Sequence, residues 1–260
     1  GCVYRDMGEA PRAIDCYLDA AACADTTATD CDFWMMGCIY GQMADLYHQQ
    51  LLLSCEMDAH RKACHYDYLA KDTLHALYEQ EMVGCVYILQ NKNDSATSLL
   101  ENVKKRYHEI GNIHEELIVS EMLMHILVEQ PSQMEVVKQL IDEFELLSEC
   151  IERHSTKHRF YSYKGKYFEK VNELDSAEYY YRKIFWPKMT FTDYDPMYKG
   201  LLSVYNKRHD ADSIAKYARL YCAVNDSSIA IKDQELTAQM SAGYNYNRYQ
   251  KQALTNEKKA

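Results

Sequence analysis

Residues 165–181 read GKYFEKVNELDSAEYYY, and two short motifs inside this stretch decide the fold. The first motif is a glycine followed three residues later by an aromatic residue. It recurs along the chain, at Gly1–Tyr4, Gly37–Tyr40 and Gly84–Tyr87. The second motif, DSA, recurs at Asp94–Ala96 and, with isoleucine in place of alanine, at Asp212–Ile214. Self-similarity of this kind indicates one structural unit used several times.

The DSA motif predicts where a helix begins. An aspartate in front of a helix-forming run is typical of an N-cap, because its carboxylate accepts a hydrogen bond from an otherwise unpaired backbone N–H. Glu178, three residues after Asp175, adds the pattern of a capping box. We therefore predict N-caps at Asp94, Asp175 and Asp212, and a helix, a short turn and a second helix in each unit.

These residues resemble the tetratricopeptide repeat (TPR), a helix pair with the pattern G-x-x-Y followed by A-x-x-x-aromatic. The units are anchored at Gly1, Ala44, Gly84, Met124, Gly165 and Leu202, about 40 residues apart. The resemblance implies an all-α fold, a right-handed α-α superhelix (TPR-like solenoid) of about six helix pairs over residues 1–226. Residues 227–260 are expected to form a C-terminal capping or linker helix. The stretch Trp186–Pro196, with two of the four prolines, is expected to be a long loop between repeats.

Composition limits the function classes. The chain has 260 residues, a net charge of −10 and a mean hydropathy of −0.49, so direct binding of nucleic acid is not expected. Its longest uncharged stretch, Phe33–Ala44, is shorter than the roughly 18 apolar residues of a membrane span. The sequence has no G-x-S-x-G, H-E-x-x-H, glycine-rich phosphate loop or P-C-x-x-C motif, so we expect no enzymatic activity.

The ten cysteines contain no C-x-x-C pair, which argues against a zinc ribbon or a thioredoxin-like site. His60 and Cys64 share a helix face, but no complete ligand set is visible, and we expect neither a metal nor a cofactor. Most of the cysteines are expected to be reduced and buried as small apolar residues.

In TPR proteins the first helix of each pair lines the concave side, which predicts a groove. The inward positions of the second and third units are Asp45, His48, Gln49, Tyr78, Glu81 and Ile88. Those of the last three units are Glu121, His125, Arg159, Lys166, Lys170, Lys199, Asn206 and Lys207. The charge of the predicted groove thus changes from acidic to basic along its length. Its basic end favours an acidic or carboxylate-terminated segment of a partner. The alternative is that these are ordinary solvated charges at helical spacing.

A narrower resemblance concerns the DSAEYYYRK stretch from Asp175, the Asp212–Tyr217 stretch and the residues from Tyr244 to Lys251. They are similar to TPR sensor regions of bacterial membrane-anchored regulators. This implies a protein- or peptide-binding sensor region, on the periplasmic side, with membrane contact only through a segment outside this chain. Abundant cysteine favours a cytoplasmic alternative. A structural spacer or oligomerisation scaffold is the alternative function. We also expect the chain to be a piece of a longer protein.

Overall fold

The computed structural model describes residues 1–28, 31–148, 157–185 and 191–226. The regular structure in these ranges is helical, and none of them contains a strand. The helices are α1 (Cys2–Asp6), α2 (Ala10–Cys23), α3 (Phe33–Gln49), α4 (Leu53–Leu69), α5 (Thr73–Leu89), α6 (Asn93–Glu109), α7 (Ile113–Leu127), α8 (Met134–Ser148), α9 (Lys157–Lys170), α10 (Leu174–Lys183), α11 (Phe191–Arg208) and α12 (211–226). A short 3₁₀ turn, Pro131–Gln133, precedes α8.

Helix starts in the middle of the chain recur at the predicted spacing. Asp32, Asp72 and Asn112 are the N-caps of α3, α5 and α7, and each side chain accepts a hydrogen bond from the backbone N–H three residues later. These bonds satisfy donors that the helix itself cannot pair. The repeat of about 40 residues is therefore visible in the capping residues.

The predicted N-caps are wrong by two residues. Helix α10 begins at Leu174 with Glu173 as its N-cap, so Asp175 lies in the first turn. Likewise α6 and α12 begin before their aspartates, Asp94 and Asp212. A carboxylate in the first turn still interacts favourably with the helix dipole, which explains why the DSA motif accompanies these helix starts.

The short turns between helices share one geometry. One residue adopts the left-handed conformation, and the N–H that follows it bonds to a carbonyl five residues earlier, as from Leu52 to Tyr47 (2.9 Å) and from Lys92 to Tyr87 (2.9 Å). This arrangement pairs the last carbonyls of each helix. The left-handed residues are Gly8, Leu51, Lys71, Asn91, Gly111, Asn172 and His209.

The described residues fall into two compact units, the first over Gly1–Val103 and the second beginning at Lys104. Each has its own apolar core. The first unit packs α2, α3 and α4 around Ile14, Tyr17, Ala44 and Leu46. The second unit packs α10, α11 and α12 around Ala177, Tyr181, Leu201, Val204 and Tyr217.

A glycine in the first helix of a pair packs against a large residue 16 positions later in the second helix. A Cβ atom on Gly84 would lie 2.6 Å from Leu100, and one on Gly165 would lie 2.8 Å from the ring of Tyr181. Gly200 of α11 approaches the same ring, so Tyr181 is enclosed by glycines of α9 and α11. These contacts explain why the motif that begins with glycine is repeated along the chain.

Charged groups take the corresponding core positions in the second helix pair. His60 of α4 lies where the first and fifth pairs have Tyr17 and Tyr181, and both His60 and Glu56 are 3% exposed. The His60 Nδ1 atom is 2.5 Å from Glu79 of α5. Buried polar groups need such partners. This substitution explains why the second copy of the repeat is the weaker one in the sequence.

One further expectation is corrected in part, and another concerns residues outside the described ranges. The predicted loop Trp186–Pro196 is partly wrong, because α11 begins at Phe191 and contains Pro196. A proline inside a helix removes one hydrogen bond and its ring crowds the carbonyl four residues earlier, which is costly but does not by itself exclude a helix. Residues 186–190 and the predicted C-terminal helix over 227–260 lie outside the described residues.

The cysteines are more exposed than predicted. Cys2, Cys23 and Cys222 are exposed, and the other described cysteines are half-buried. Apolar neighbours in the sequence therefore did not distinguish the core side of a helix from its flank. Cys150 lies outside the described residues. No helix in the described part of the chain combines the length and apolar character needed to cross a bilayer.

Candidate binding site

One face of α9 collects most of the basic residues that were predicted for the groove. Arg159, Tyr163, Lys166 and Lys170 follow one another at intervals of three or four residues, which places them on the same side of the helix. The structure brings this face together with Lys199 of α11 at one cavity.

The cavity lies within the second unit and has a volume of about 500 Å³. That is within the range of pockets that enclose small ligands or part of a peptide. It is lined by residues of α7, α9, α10 and α11 and of the turns that follow α7 and α10. The lining residues are His125, Glu129, His158, Arg159, Ser162, Tyr163, Lys166, Glu169, Lys170, Tyr181, Ile184, Asp195, Pro196, Lys199, Gly200 and Ser203.

Two of the lysines share one carboxylate. Glu129, in the turn after α7, accepts a hydrogen bond from Lys166 at 3.1 Å and another from Lys170 at 2.9 Å. The bond from Lys170, together with that from Lys166, holds the pKa of Glu129 below its usual value. All three side chains are partly exposed, so these ion pairs are weak in free energy.

A second carboxylate, Glu169, is held more firmly. It accepts hydrogen bonds from the hydroxyl of Tyr181 (2.9 Å) and from the hydroxyl of Ser203 (2.6 Å). Lys207 lies 3.1 Å from the same carboxylate and also donates to the Glu169 backbone carbonyl at 3.0 Å. This network links α9, α10 and α11 at the floor of the cavity.

Arg159 is paired with a buried acid. Its Nε atom is 3.2 Å from Glu121 of α7, whose side chain is 5% exposed. Burial raises the pKa of Glu121 to about 7, although the nearby Arg159 charge opposes this shift. Next to this pair, His125 and Tyr163 make an edge-to-face ring contact at 5.9 Å. Burial and the charge of Lys166 lower the pKa of His125, which favours a neutral imidazole.

The cavity lining carries a small excess of positive charge. Its four basic side chains, besides the two histidines, are Arg159, Lys166, Lys170 and Lys199. Its three carboxylates are Glu129, Glu169 and Asp195. Lys199 is exposed and has no ion-pair partner among the described residues. Of the remaining predicted residues at this end, Asn206 and Lys207 are exposed on α11, beyond the lining.

The other predicted groove residues belong to the first unit and do not line this cavity. Asp45 and His48 of α3 are exposed, and His48 pairs with the buried Glu56 at 2.8 Å. Tyr78 of α5 is 44% exposed, whereas Glu81 is buried at 3% exposure. Burial, with smaller effects of nearby carboxylates, raises the pKa of Tyr78.

The first unit has an open depression of its own between α4, α5 and α6. It measures about 850 Å³, and its lining includes Arg61, Cys64, Gln80, Tyr87 and Asn102. None of the predicted groove residues lines it. Among the described residues, no group of three or more His, Cys, Asp or Glu side chains is placed to hold a metal ion.

The acids of the cavity were not among the predicted groove residues. Glu169 lies three residues after Lys166 on the same helix, so helical spacing could have identified it. Glu129 lies 37 residues before Lys166 in a turn, and no local pattern predicts that contact. Tyr163 and Ser203 were also not among the predicted groove residues.

The fold resembles two solved structures. BtubC (BKLC) from P. vanneervenii matches with a TM-score of 0.66 and 14% identity, over 88% of this chain and 92% of that chain. A putative kinesin light chain from Podosopora anserina with nearly identical TPR-like repeats matches with a TM-score of 0.56 and 10% identity, over 73% of this chain and 94% of that chain. At such identities the likeness concerns the fold alone. The predicted all-α, TPR-like repeat fold is confirmed, and this fold is compatible with a protein-binding scaffold.

No protein-family model matches the sequence, and no curated protein matches it either.

Proposed function

We propose that the chain is a non-enzymatic scaffold that binds a protein or peptide in the cavity of the second unit. The observation that carries the proposal is that the basic residues predicted for a groove, Arg159, Lys166, Lys170 and Lys199, line one cavity of about 500 Å³. The aromatic ring of Tyr163, which is partly exposed at the same cavity, offers a contact that charges alone do not supply.

The ligand we propose is an acidic or carboxylate-terminated segment. The chain as a whole has a net charge of −10, so a cavity whose lining has more basic than acidic groups is a local exception. Lysine ammonium groups can neutralise carboxylates as flexible point charges. Exposed pairs contribute only about 0.2–1 kcal/mol each, so binding also depends on the aromatic and apolar contacts.

The proposed biological setting is the sensor region of a bacterial membrane-anchored signalling or transcriptional regulator, on the periplasmic side. The support is the similarity of the stretches that begin at Asp175 and Asp212 to such regions. Sequencing the coding region beyond both ends of this chain tests the setting. A downstream span of about 20 apolar residues is expected, and its absence from the complete gene would contradict the proposal.

A structural or oligomerisation scaffold is the second candidate. The observation in its favour is the exposure of large apolar side chains in the second unit, with Leu146 71% exposed and Phe185 63% exposed. Where such side chains form a contiguous patch, the patch marks a surface that binds another chain. Sedimentation velocity measurements over a hundredfold concentration range would reveal self-association and so favour this candidate.

Fluorescence anisotropy with labelled decapeptides tests the main proposal. One set alternates Glu with Leu, Phe or Tyr and has a free carboxyl terminus, and its counterpart has Lys in place of Glu. We expect the acidic set to bind, with an affinity that falls as salt is raised, because exposed charges are screened over about 8–10 Å. The basic set should not bind.

The variant that locates the site is Lys166→Glu with Lys170→Glu. Loss of two attractions should weaken binding by about two- to thirtyfold. The matched control reverses two other exposed lysines of the second unit, Lys105→Glu with Lys138→Glu. Equal affinities for the two double variants would place the site elsewhere.

A further inference from the structure

Glu129 occupies a position that a ligand carboxylate would take. Lys166 and Lys170 are one helical turn apart on α9, so their ammonium groups converge on a single carboxylate. Glu129 supplies that carboxylate from the turn after α7, with one oxygen 3.1 Å from Lys166 and the other 2.9 Å from Lys170. No other ion pair of these two lysines is present among the described residues.

The two acids of the cavity that form ion pairs differ in how they are held. The side chain of Glu169 is 14% exposed and accepts hydrogen bonds from the hydroxyls of Tyr181 and Ser203. The side chain of Glu129 is 55% exposed, and its ion pairs within the described residues are those with the two lysines. Exposed ion pairs are easily exchanged, whereas a buried carboxylate with several donors is not. Glu129 is therefore the carboxylate that can leave.

We propose that Glu129 is an internal competitor, which covers the carboxylate site of Lys166 and Lys170 until an acidic peptide displaces it. This inference rests on the proposed function. An incoming carboxylate takes over both lysines, and Glu129 returns to water. A ligand with one carboxylate gains little from such an exchange. A ligand with a second carboxylate gains more, because Lys199 has no ion-pair partner among the described residues.

The proposal predicts that removal of an acid from the cavity strengthens binding in a position-dependent way. Glu129→Gln keeps the shape of the side chain and leaves both lysines without their carboxylate. Since exposed ion pairs are weak, we expect the dissociation constant of an acidic decapeptide to fall by about three- to tenfold. Asp195→Asn removes the same charge from the same lining, but Asp195 forms no ion pair with either lysine.

The experiment compares the parent, Glu129→Gln and Asp195→Asn by anisotropy with the Glu-Leu decapeptide at low salt. Circular dichroism and the melting temperature check that each variant is folded. A clearly larger gain for Glu129→Gln than for Asp195→Asn supports the proposal. Equal gains would assign the effect to the general field of the cavity, and an unchanged or weaker affinity of Glu129→Gln would also overturn it.

The design separates this inference from the proposed function. If the parent binds the decapeptide and Glu129→Gln binds it no better, only the role of Glu129 is lost. If neither the parent nor Glu129→Gln binds any peptide of the acidic panel, the proposed function is wrong and the competitor role is overturned with it.

Discussion

The hydroxyl of Tyr181 donates a hydrogen bond of 2.9 Å to the carboxylate of Glu169. Tyr181 is 1% exposed and belongs to the core of the second unit, whereas Glu169 lines the cavity. The repeat's large core residue thus also fixes an acid of the candidate site. Packing and binding are linked at this single side chain.

Tyr181→Phe tests this link. It keeps the ring between Gly165 and Gly200 and removes only the hydroxyl. Since hydrogen bonds to charged groups are worth about 1.5–3 kcal/mol, we expect unfolding in urea to show a loss of stability near the lower end of that range. Tyr194→Phe is the control, because no hydrogen bond of its hydroxyl is present among the described residues, and it should change stability by less than about 0.5 kcal/mol.

Gly200→Ala should destabilise the protein, although alanine favours helices over glycine by about 1 kcal/mol. The added Cβ atom would overlap the ring of Tyr181. Overpacking of this kind costs about 1–3 kcal/mol, which outweighs the gain in helix propensity. The cost should shrink when Gly200→Ala is made together with Tyr181→Leu, and additive effects in this double-mutant cycle would show that the ring is not the cause.

Removal of one partner of the His60–Glu79 pair in the first unit should lower the free energy of unfolding strongly, whereas replacement of both partners by apolar residues should change it little. His60→Ala leaves the buried Glu79 without its partner and should lower the free energy of unfolding by about 3–5 kcal/mol. The double change His60→Leu with Glu79→Met should come within about 1 kcal/mol of the parent. Lys105→Ala, which removes an exposed pair, is the control in urea unfolding. A double variant as unstable as His60→Ala would contradict this view of the pair.

Glu121 predicts a pH dependence of stability. Burial raises its folded-state pKa from 4.5 to about 7, so the folded chain holds the proton more tightly than the unfolded chain. The stability it contributes is complete below about pH 4.5 and is lost as the pH rises through about 7.

Glu121→Gln should therefore gain stability relative to the parent between pH 5 and pH 8, by about 1–3 kcal/mol. Urea unfolding at several pH values measures this difference directly. Glu135→Gln, at an exposed position of α8, is the control for the removal of a carboxylate. If the difference between Glu121→Gln and the parent is constant with pH, Glu121 does not titrate in this range.

The repeat itself was predictable because packing imposes a strict distance along the chain. Gly1, Gly84 and Gly165 pack against residues 16 positions later, so small and large residues recur together in the sequence. The weak second copy was weak for a physical reason, since His60 and Glu56 replace core residues there. Helix starts were less predictable, because a first-turn aspartate such as Asp175 and a capping aspartate such as Asp72 look alike.

The candidate site was only half predictable. Helical spacing placed Arg159, Lys166 and Lys170 on one face without any knowledge of neighbouring helices. The partners of these residues depend on tertiary distances, as with Glu129, which comes from a turn 41 residues before Lys170. Turns with left-handed residues such as Leu51 and Lys71 carry no glycine signal, so their geometry was invisible in the sequence.

The most direct test of the central claim is to map where an acidic peptide touches the chain. A Glu-Leu decapeptide carrying one benzophenone group would be cross-linked by light, and the adducts located by mass spectrometry. We predict adducts on α9 and α11, within residues 157–170 and 194–207, and their loss in the variant Lys166→Glu with Lys170→Glu. Adducts concentrated on α3 and α5 of the first unit, near Asp45 and Tyr78, would contradict the account.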